Sequence, residues 1–327
     1  MTAYLGIDVG KTQLEVALLR PEHPPETGQF ENSPAGWKRL RHFLKKRRLE
    51  AVHVCLEATG YYGDDVALEL HQAGYRVSVV NPARIKGYAD SRLSRNKTDA
   101  LDAILIADFC RTQNPEEWTP PPPEQRELQA MVRHWQHLSA IRQQEVNRQQ
   151  AGIPSETVQQ TLAQHIAFLD QQLTELQQRI RQHIDQHPYL RQQRELLISI
   201  PGIGDITAFK LLAEIRDIRV FDSAAQLAAY AGLTPRQHCS GSSVRGRPRL
   251  SKRGSARLRA ALYFPAIVAQ QHNPILRAFA HRLLAAGKPK LAVIAAVMRK
   301  LLHLVFGVLK SGMPFDPHYL DHPVAIP

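Results

Sequence analysis

The sequence predicts an α/β fold joined to a mainly α-helical one. Three observations lead there. Strand-period alternation and short apolar runs separated by helix-like segments fill the first hundred residues. A proline run, Pro120 to Pro123, then breaks the chain, as a stiff extended spacer does. Helical spacing dominates nearly everything beyond it. The expected divisions are residues 1–123, 124–190 and 191–327.

Taken in order, Tyr4 to Asp8 is a short apolar run, and Leu14, Val16 and Leu18 alternate with Gln13, Glu15 and Ala17. The Gly-containing turn between them makes the pair a hairpin. Trp37–Lys46 reads as helix, Val52–Leu56 as strand, Tyr61–Ala73 as helix and Val77–Val80 as strand, stopped by Asn81-Pro82. Thr98–Cys110 has helical spacing through Leu101, Ile104, Leu105 and Phe109. A hairpin followed by alternating helices and strands predicts a mixed sheet flanked by helices. Past the prolines, Leu128, Val132, Trp135 and Leu138 share one helix face. From Val158 to Ile184 apolar residues recur every three or four positions, close to a heptad. That stretch reads as a helical hairpin or coiled coil, packed on itself or used to dimerise. Ile200-Pro201-Gly202-Ile203-Gly204 joins two helical segments like a helix-hairpin-helix turn, whose backbone N–H groups can meet a phosphate; an ordinary tight helix connection accounts for it equally well. Gln226–Tyr230 is another short helix, His238–Pro248 is a polar loop, and Ser255–Lys310 is helical.

Charge separates the two halves. The net is +12, yet Ser223 to Phe315 holds no Asp or Glu and 15 Lys and Arg. Surfaces normally mix signs, so this stretch predicts a polyanion-binding surface. Three scattered cysteines, Cys55, Cys110 and Cys239, suit neither a disulfide framework nor a zinc site. Apolar runs such as Leu304–Leu309 fall short of a membrane span, and no secretory signal opens the chain. A cytoplasmic protein is expected.

Gly6 to Thr12 is not a phosphate loop: only three residues separate its glycines, and a strand follows Lys11-Thr12. Asp8 and Glu57 instead end two strands, while Asp99 and Asp102 share a helix face. Each has an ordinary structural role open to it: Asp8 opening a turn, Glu57 as a solvated strand end, Asp99 in a helix's first turn with Asn96 as cap. Together, in a chain with so basic a second half, they predict a site for two divalent cations, Mg²⁺ or equally Mn²⁺, suited to phosphoryl transfer. The loop Cys239 to Arg249 carries serines among arginines. On chemistry alone it is a basic loop that grips backbone phosphates.

The ordered set of motifs says more. Gly-Ile-Asp at Gly6–Asp8 is followed by Glu-Ala-Thr-Gly-Tyr from Glu57, Val-Val-Asn-Pro from Val79 and Arg-Asn-Lys-Thr-Asp-Ala-Leu-Asp-Ala from Arg95. Then come Ile-Pro-Gly-Ile-Gly from Ile200, Ala-Gly-Leu-Thr-Pro-Arg from Ala231 and Ser-Gly-Ser-Ser-Val-Arg-Gly from Ser240. This resembles the DEDD-type insertion-sequence transposases related to the Piv invertases, the bridge-RNA-guided recombinases, from Tyr4 to about Phe315. The resemblance implies an N-terminal RuvC-like (RNase H-like) domain whose Asp8, Glu57, Asp99 and Asp102 hold Mg²⁺. It implies a coiled-coil middle and a C-terminal transposase domain with Ser240 as nucleophile. Its further implications are double-stranded donor and target DNA, a structured non-coding guide RNA, and a tetramer in which acids and serine come from different protomers. Arg236, Arg245, Arg247, Arg249, Lys252 and Arg253, with Gly202 and Gly204, are the expected nucleic-acid contacts. A metal-dependent nuclease acting on branched DNA by hydrolysis, with Ser240 idle, is the alternative.

Overall fold

The computed structural model describes residues 2–49, 51–58, 61–92, 98–236, 239–240, 244–245 and 249–318. At Tyr61, Arg236, Cys239, Ser240, Val244 and Arg245 it describes backbone alone. The chain divides into two compact units, Met1–Pro120 and Pro121–Pro327.

The first unit is built on β1 (Thr2–Val9), β2 (Gln13–Leu19), β3 (Glu26–Glu31), β4 (Ala51–Glu57) and β5 (Arg76–Val80). They form one sheet in the order β3-β2-β1-β4-β5. The three on one side of the sheet are antiparallel neighbours, and β4 and β5 run parallel to β1. The expected hairpin and mixed sheet are both present. β3 went unforeseen, because Phe30 is its one large apolar side chain and its residues alternate only between half-buried and exposed, as an edge strand's do.

Helices α1 (Pro34–Lys46) and α2 (Tyr61–Gln72) cover one face. Leu5, Ile7, Val16, Val54 and Leu56 of the strands pack there with Leu40, Leu44, Val66 and Leu70. Helix α3 (Pro82–Ser91) precedes α4 (Asp99–Gln113), which covers the other face. That contact is made of small residues: Ala17 of β2 clusters with Ala103 and Ala107 of α4. At Gly6 a Cβ would lie 2.2 Å from the Ala103 carbonyl oxygen and 2.3 Å from the Ala107 nitrogen. No real Cβ makes such a contact, so only glycine lets α4 rest this deep on β1.

The Asp108 carboxylate joins α3 to α4. It accepts from the Tyr88 hydroxyl at 2.7 Å and from the Arg92 and Arg111 guanidinium groups at 2.6 Å each. Burial pushes this carboxyl up, but the Tyr88 and Arg111 hydrogen bonds and both arginine charges outweigh it and hold the group below the usual carboxylate range. At the sheet's far edge, buried Ser78 lies 2.8 Å from His53 Nε2 and donates to the Glu116 carbonyl at 2.7 Å, while Trp118 N–H donates to Val77. These bonds fasten the departing chain along β5.

The second unit is helical. α5 (Pro123–Gln150) and α6 (Glu156–Gln186) form an antiparallel pair, registered by Arg142 on Asp170 and by His183 Nε2 against the Glu124 carbonyl. α7 (Pro188–Ile198), α8 (Asp205–Ile215) and α9 (Ala224–Tyr230) follow. Gln125 and Gln129 of α5 donate to the Leu212 and Ala213 carbonyls and so satisfy the end of α8. Beyond lie α10 (Ala256–Ala261), α11 (Tyr263–His272), α12 (Pro274–Ala285) and α13 (Lys290–Ser311). α13 corrects one expectation: it is long and apolar enough to cross a membrane by length and composition. Here it is the central core helix, burying Val293, Val297, Leu301, Leu302 and Val305 among its neighbours.

Candidate functional site

β1 and α4 assemble the first site. Asp8 is half-buried near the carboxyl end of β1, on the same face as Gly6. Thr98 caps α4, its hydroxyl accepting from Leu101 N–H at 3.3 Å, which places Asp99 and Asp102 in the first turn. Thr98, not Asn96, is therefore the cap; Asn96 lies outside the described residues. With α4 resting on Gly6, that first turn meets the end of β1. Ligand atoms of Asp8, Asp99 and Asp102 all lie within 4.8 Å of one another.

Three hard carboxylates that close suit Mg²⁺, Mn²⁺ or a similar divalent cation. Glu57 ends β4. The ladder pairs Ile7 with Leu56, so Glu57 stands beside Asp8 on the neighbouring parallel strand, half-buried. Its carboxylate is not within the three-acid group among the described residues. Glu15, which carried no signal as a site residue, stands opposite Asp8 across the β1–β2 ladder and accepts from Gln29 Nε2 at 2.6 Å. Asn32 secures the rim. Its Nδ2 donates to the Gly10 and Tyr62 carbonyls at 3.0 and 2.9 Å, and its Oδ1 accepts from Trp37 Nε1. One amide thus ties the turn after β1 to the start of α2.

The second candidate region belongs to the helical unit. The expected polar loop is an arm of paired strands: β6 (Pro235–Arg236) with β9 (Arg249–Leu250), and β7 (Cys239–Ser240) with β8 (Val244–Arg245). Ser240 pairs with Val244, Cys239 with Arg245 and Arg236 with Arg249. Arg247 lies outside the described residues. The arm's foot is firmly held. Lys252 N–H donates to Gly232, Ser251 N–H to Thr234, and Arg259 Nη1 to the Ala231 carbonyl at 3.0 Å. A Cβ on Gly254, whose φ is +140°, would strike the Tyr230 carbonyl oxygen at 2.2 Å. Lys252 and Arg253 are exposed at this foot.

The glycines of the α7–α8 turn part company. Gly202, at φ +105°, has room only for hydrogen: a Cβ would lie 2.7 Å from the Ala269 Cβ of α11. Its requirement is helix packing. Gly204 is exposed and caps α8 with open space around it.

Comparison with known proteins bears on both regions. A family model described as Transposase matches residues 5–155, and one described as Transposase IS116/IS110/IS902 family matches residues 194–281. The pilin gene-inverting protein of Moraxella bovis is 34% identical over 96% of this chain and 97% of its own length. A probable family 20 transposase of Pseudomonas aeruginosa is 28% identical over 79% of this chain and 81% of its own. Among solved structures, Thermus thermophilus RuvC in complex with a Holliday junction substrate is 16% identical over 36% of this chain and 100% of its own, with a TM-score of 0.28.

Proposed function

This chain belongs to the IS116/IS110/IS902 family of transposases, and we propose that it cuts and rejoins double-stranded donor and target DNA through a phosphoserine at Ser240, guided by a structured non-coding RNA. The observation that carries this reading is the Asp8, Asp99 and Asp102 cluster, with ligand atoms within 4.8 Å of one another at the carboxyl end of the sheet. Glu57, beside Asp8 on the neighbouring strand, would serve as the fourth acid when a cation is held there. These acids would hold Mg²⁺ or Mn²⁺, which would supply charge to offset that of the scissile phosphate.

The chain's own residues do the rest. A strand fixes Asp8 and a capped helix turn fixes Asp99 and Asp102, so the carboxylates arrive already oriented. The Ser240 hydroxyl attacks phosphorus in line and gives up its proton to solvent. A serine–phosphate bond forms, the bond to the leaving sugar oxygen breaks, and that oxygen takes up a proton. A sugar hydroxyl of the other duplex then attacks the phosphoserine, forming the new phosphodiester and freeing Ser240. Bond energy is conserved at each exchange, which suits a chain whose Gly6–Thr12 segment is no nucleotide loop. Arg236, Arg245, Arg247, Arg249, Lys252 and Arg253 hold backbone phosphates on and around the arm, with Gly204 at the start of α8. The acids of one protomer serve the Ser240 of another within a tetramer.

The test is to express the chain with the DNA flanking its gene, sequence whatever nucleic acid co-purifies, and assay cutting of the DNA that an RNA so found can pair with. A discrete RNA encoded beside the gene, with cutting lost in Asp8→Asn while DNA binding persists, is expected. Cutting at the wild-type rate by Asp8→Asn would sink the reading. Direct DNA binding without any RNA would remove the guide from it.

A further inference from the structure

α10, α11 and the first half of α13 border an open cleft of about 720 Å³. Its floor includes Leu250, Ile294 and Met298. Tyr263, Phe264 and Leu291 line it while remaining 37%, 73% and 72% exposed. The two aromatic rings meet edge to face with centroids 5.3 Å apart, so Tyr263 braces Phe264 while most of Phe264 stays in water. Lys252 and Arg259 line the same cleft. Leu291 and Lys252 also border a second cleft of about 1320 Å³, which adds Arg249, Lys288, Arg299 and Lys300. His303 in that second cleft has its imidazolium disfavoured by burial and then by Arg299 and Lys300, a sign of the local positive field.

An exposed aromatic and aliphatic patch marks a contact surface. The charge around it selects the partner. No carboxylate occurs between Ser223 and Phe315, so a second copy presenting this surface would set cation against cation. A polyanion is complementary. A paired duplex offers its phosphates but keeps its base faces inside the stack; an unpaired strand offers both. Opening of the duplexes proposed above as substrates supplies such a strand, so the occupant argued for is unpaired DNA.

We propose that the two clefts form a track for unpaired deoxynucleotides: bases stack on Phe264 and Tyr263, and Lys252, Arg259, Lys288 and Arg299 take the phosphates. The track rests on the nucleic-acid reading of this unit and is independent of the phosphoserine. It would hold a strand displaced when one duplex is opened.

The test uses the full-length protein in EDTA, where no strand is cut and a failure of the phosphoserine reading leaves the result untouched. Fluorescence anisotropy is read on a single-stranded DNA containing 2-aminopurine, on its duplex, and on RNA of the same sequence. Phe264→Ala should weaken single-strand binding roughly tenfold or more, leave duplex binding within about twofold, and abolish the quenching of 2-aminopurine. Phe264→Trp should restore both. Equal losses on duplex and single strand, no loss at all, RNA bound as tightly as DNA, or a change of oligomeric state alone would each overturn the proposal. Circular dichroism checks that the exposed substitution leaves the helices intact.

Discussion

The sheet unit and the helical unit reach their chemistry by opposite routes. In the first, a few atoms at close tolerance do it: α4 rests on a strand at Gly6, and that approach gathers Asp8, Asp99 and Asp102. In the second, composition does it: Ser223 to Phe315 holds 15 Lys and Arg and no acid, so on the proposed reading phosphate binding is shared among many cations. The first site should therefore fail abruptly on a single added methyl, and the second should decline by degrees.

The sharpest way to break this contrast is Gly6→Ala. The new Cβ would meet backbone atoms of α4, which cannot step aside without moving the helix. A loss of about 3 kcal/mol or more in unit stability is expected in urea unfolding, with cutting abolished. Wild-type stability would mean that α4 is not held as described. Next in size, Asp102→Asn should reduce the single-turnover cutting rate about a thousandfold, with DNA affinity kept within a few-fold. A variant that still cuts at a tenth of the wild-type rate would show the carboxylate to be dispensable. On the basic side, Lys252→Ala and Arg253→Ala should weaken binding to every DNA sequence alike. Each should lower the slope of log affinity against log salt by about 1. A sequence-selective loss from either would contradict phosphate gripping.

The smallest expected effect is at Asp108. Its folded carboxyl titrates below the unfolded value, so its contribution is whole above the usual carboxylate range and disappears as pH falls through the lowered value. Asp108→Asn should cost about 1 kcal/mol at neutral pH and nearly nothing at strongly acidic pH. Equal losses at both ends of a pH-dependent unfolding series would assign Asp108 a purely steric role.

The strands, the hairpin and the positions of the acids were legible because period-two alternation and carboxylates at strand ends are local signals. The same pattern hid β3 and α3. The strand turns only one large apolar side chain, Phe30, to the core, and the helix buries only Ile85, so neither carries a periodic apolar signature. Gly6 was read as part of a motif, although a glycine inside an otherwise apolar strand is itself a sign of close backbone approach. At Gly202, where phosphate contact and a tight helix connection are equally open from the sequence, the structure adds a close approach to Ala269 that leaves no room for a Cβ. Pairing within the Ser240 arm was not visible either, since two-residue strands carry no period. Phe264 and Leu291 lay inside helical patterns that could not say which apolar residues stay uncovered.

The most direct measurement is the mass of the covalent protein–DNA adduct after denaturation and proteolysis, taken for the wild type, Ser240→Ala and Asp8→Asn on one cognate DNA. The account predicts a nucleotide attached to Ser240 in the wild type. It predicts no adduct from either variant, although both still bind DNA. Strand cutting by Ser240→Ala, with no adduct at any residue, would contradict it and leave water as the nucleophile at the Asp8, Asp99 and Asp102 cluster.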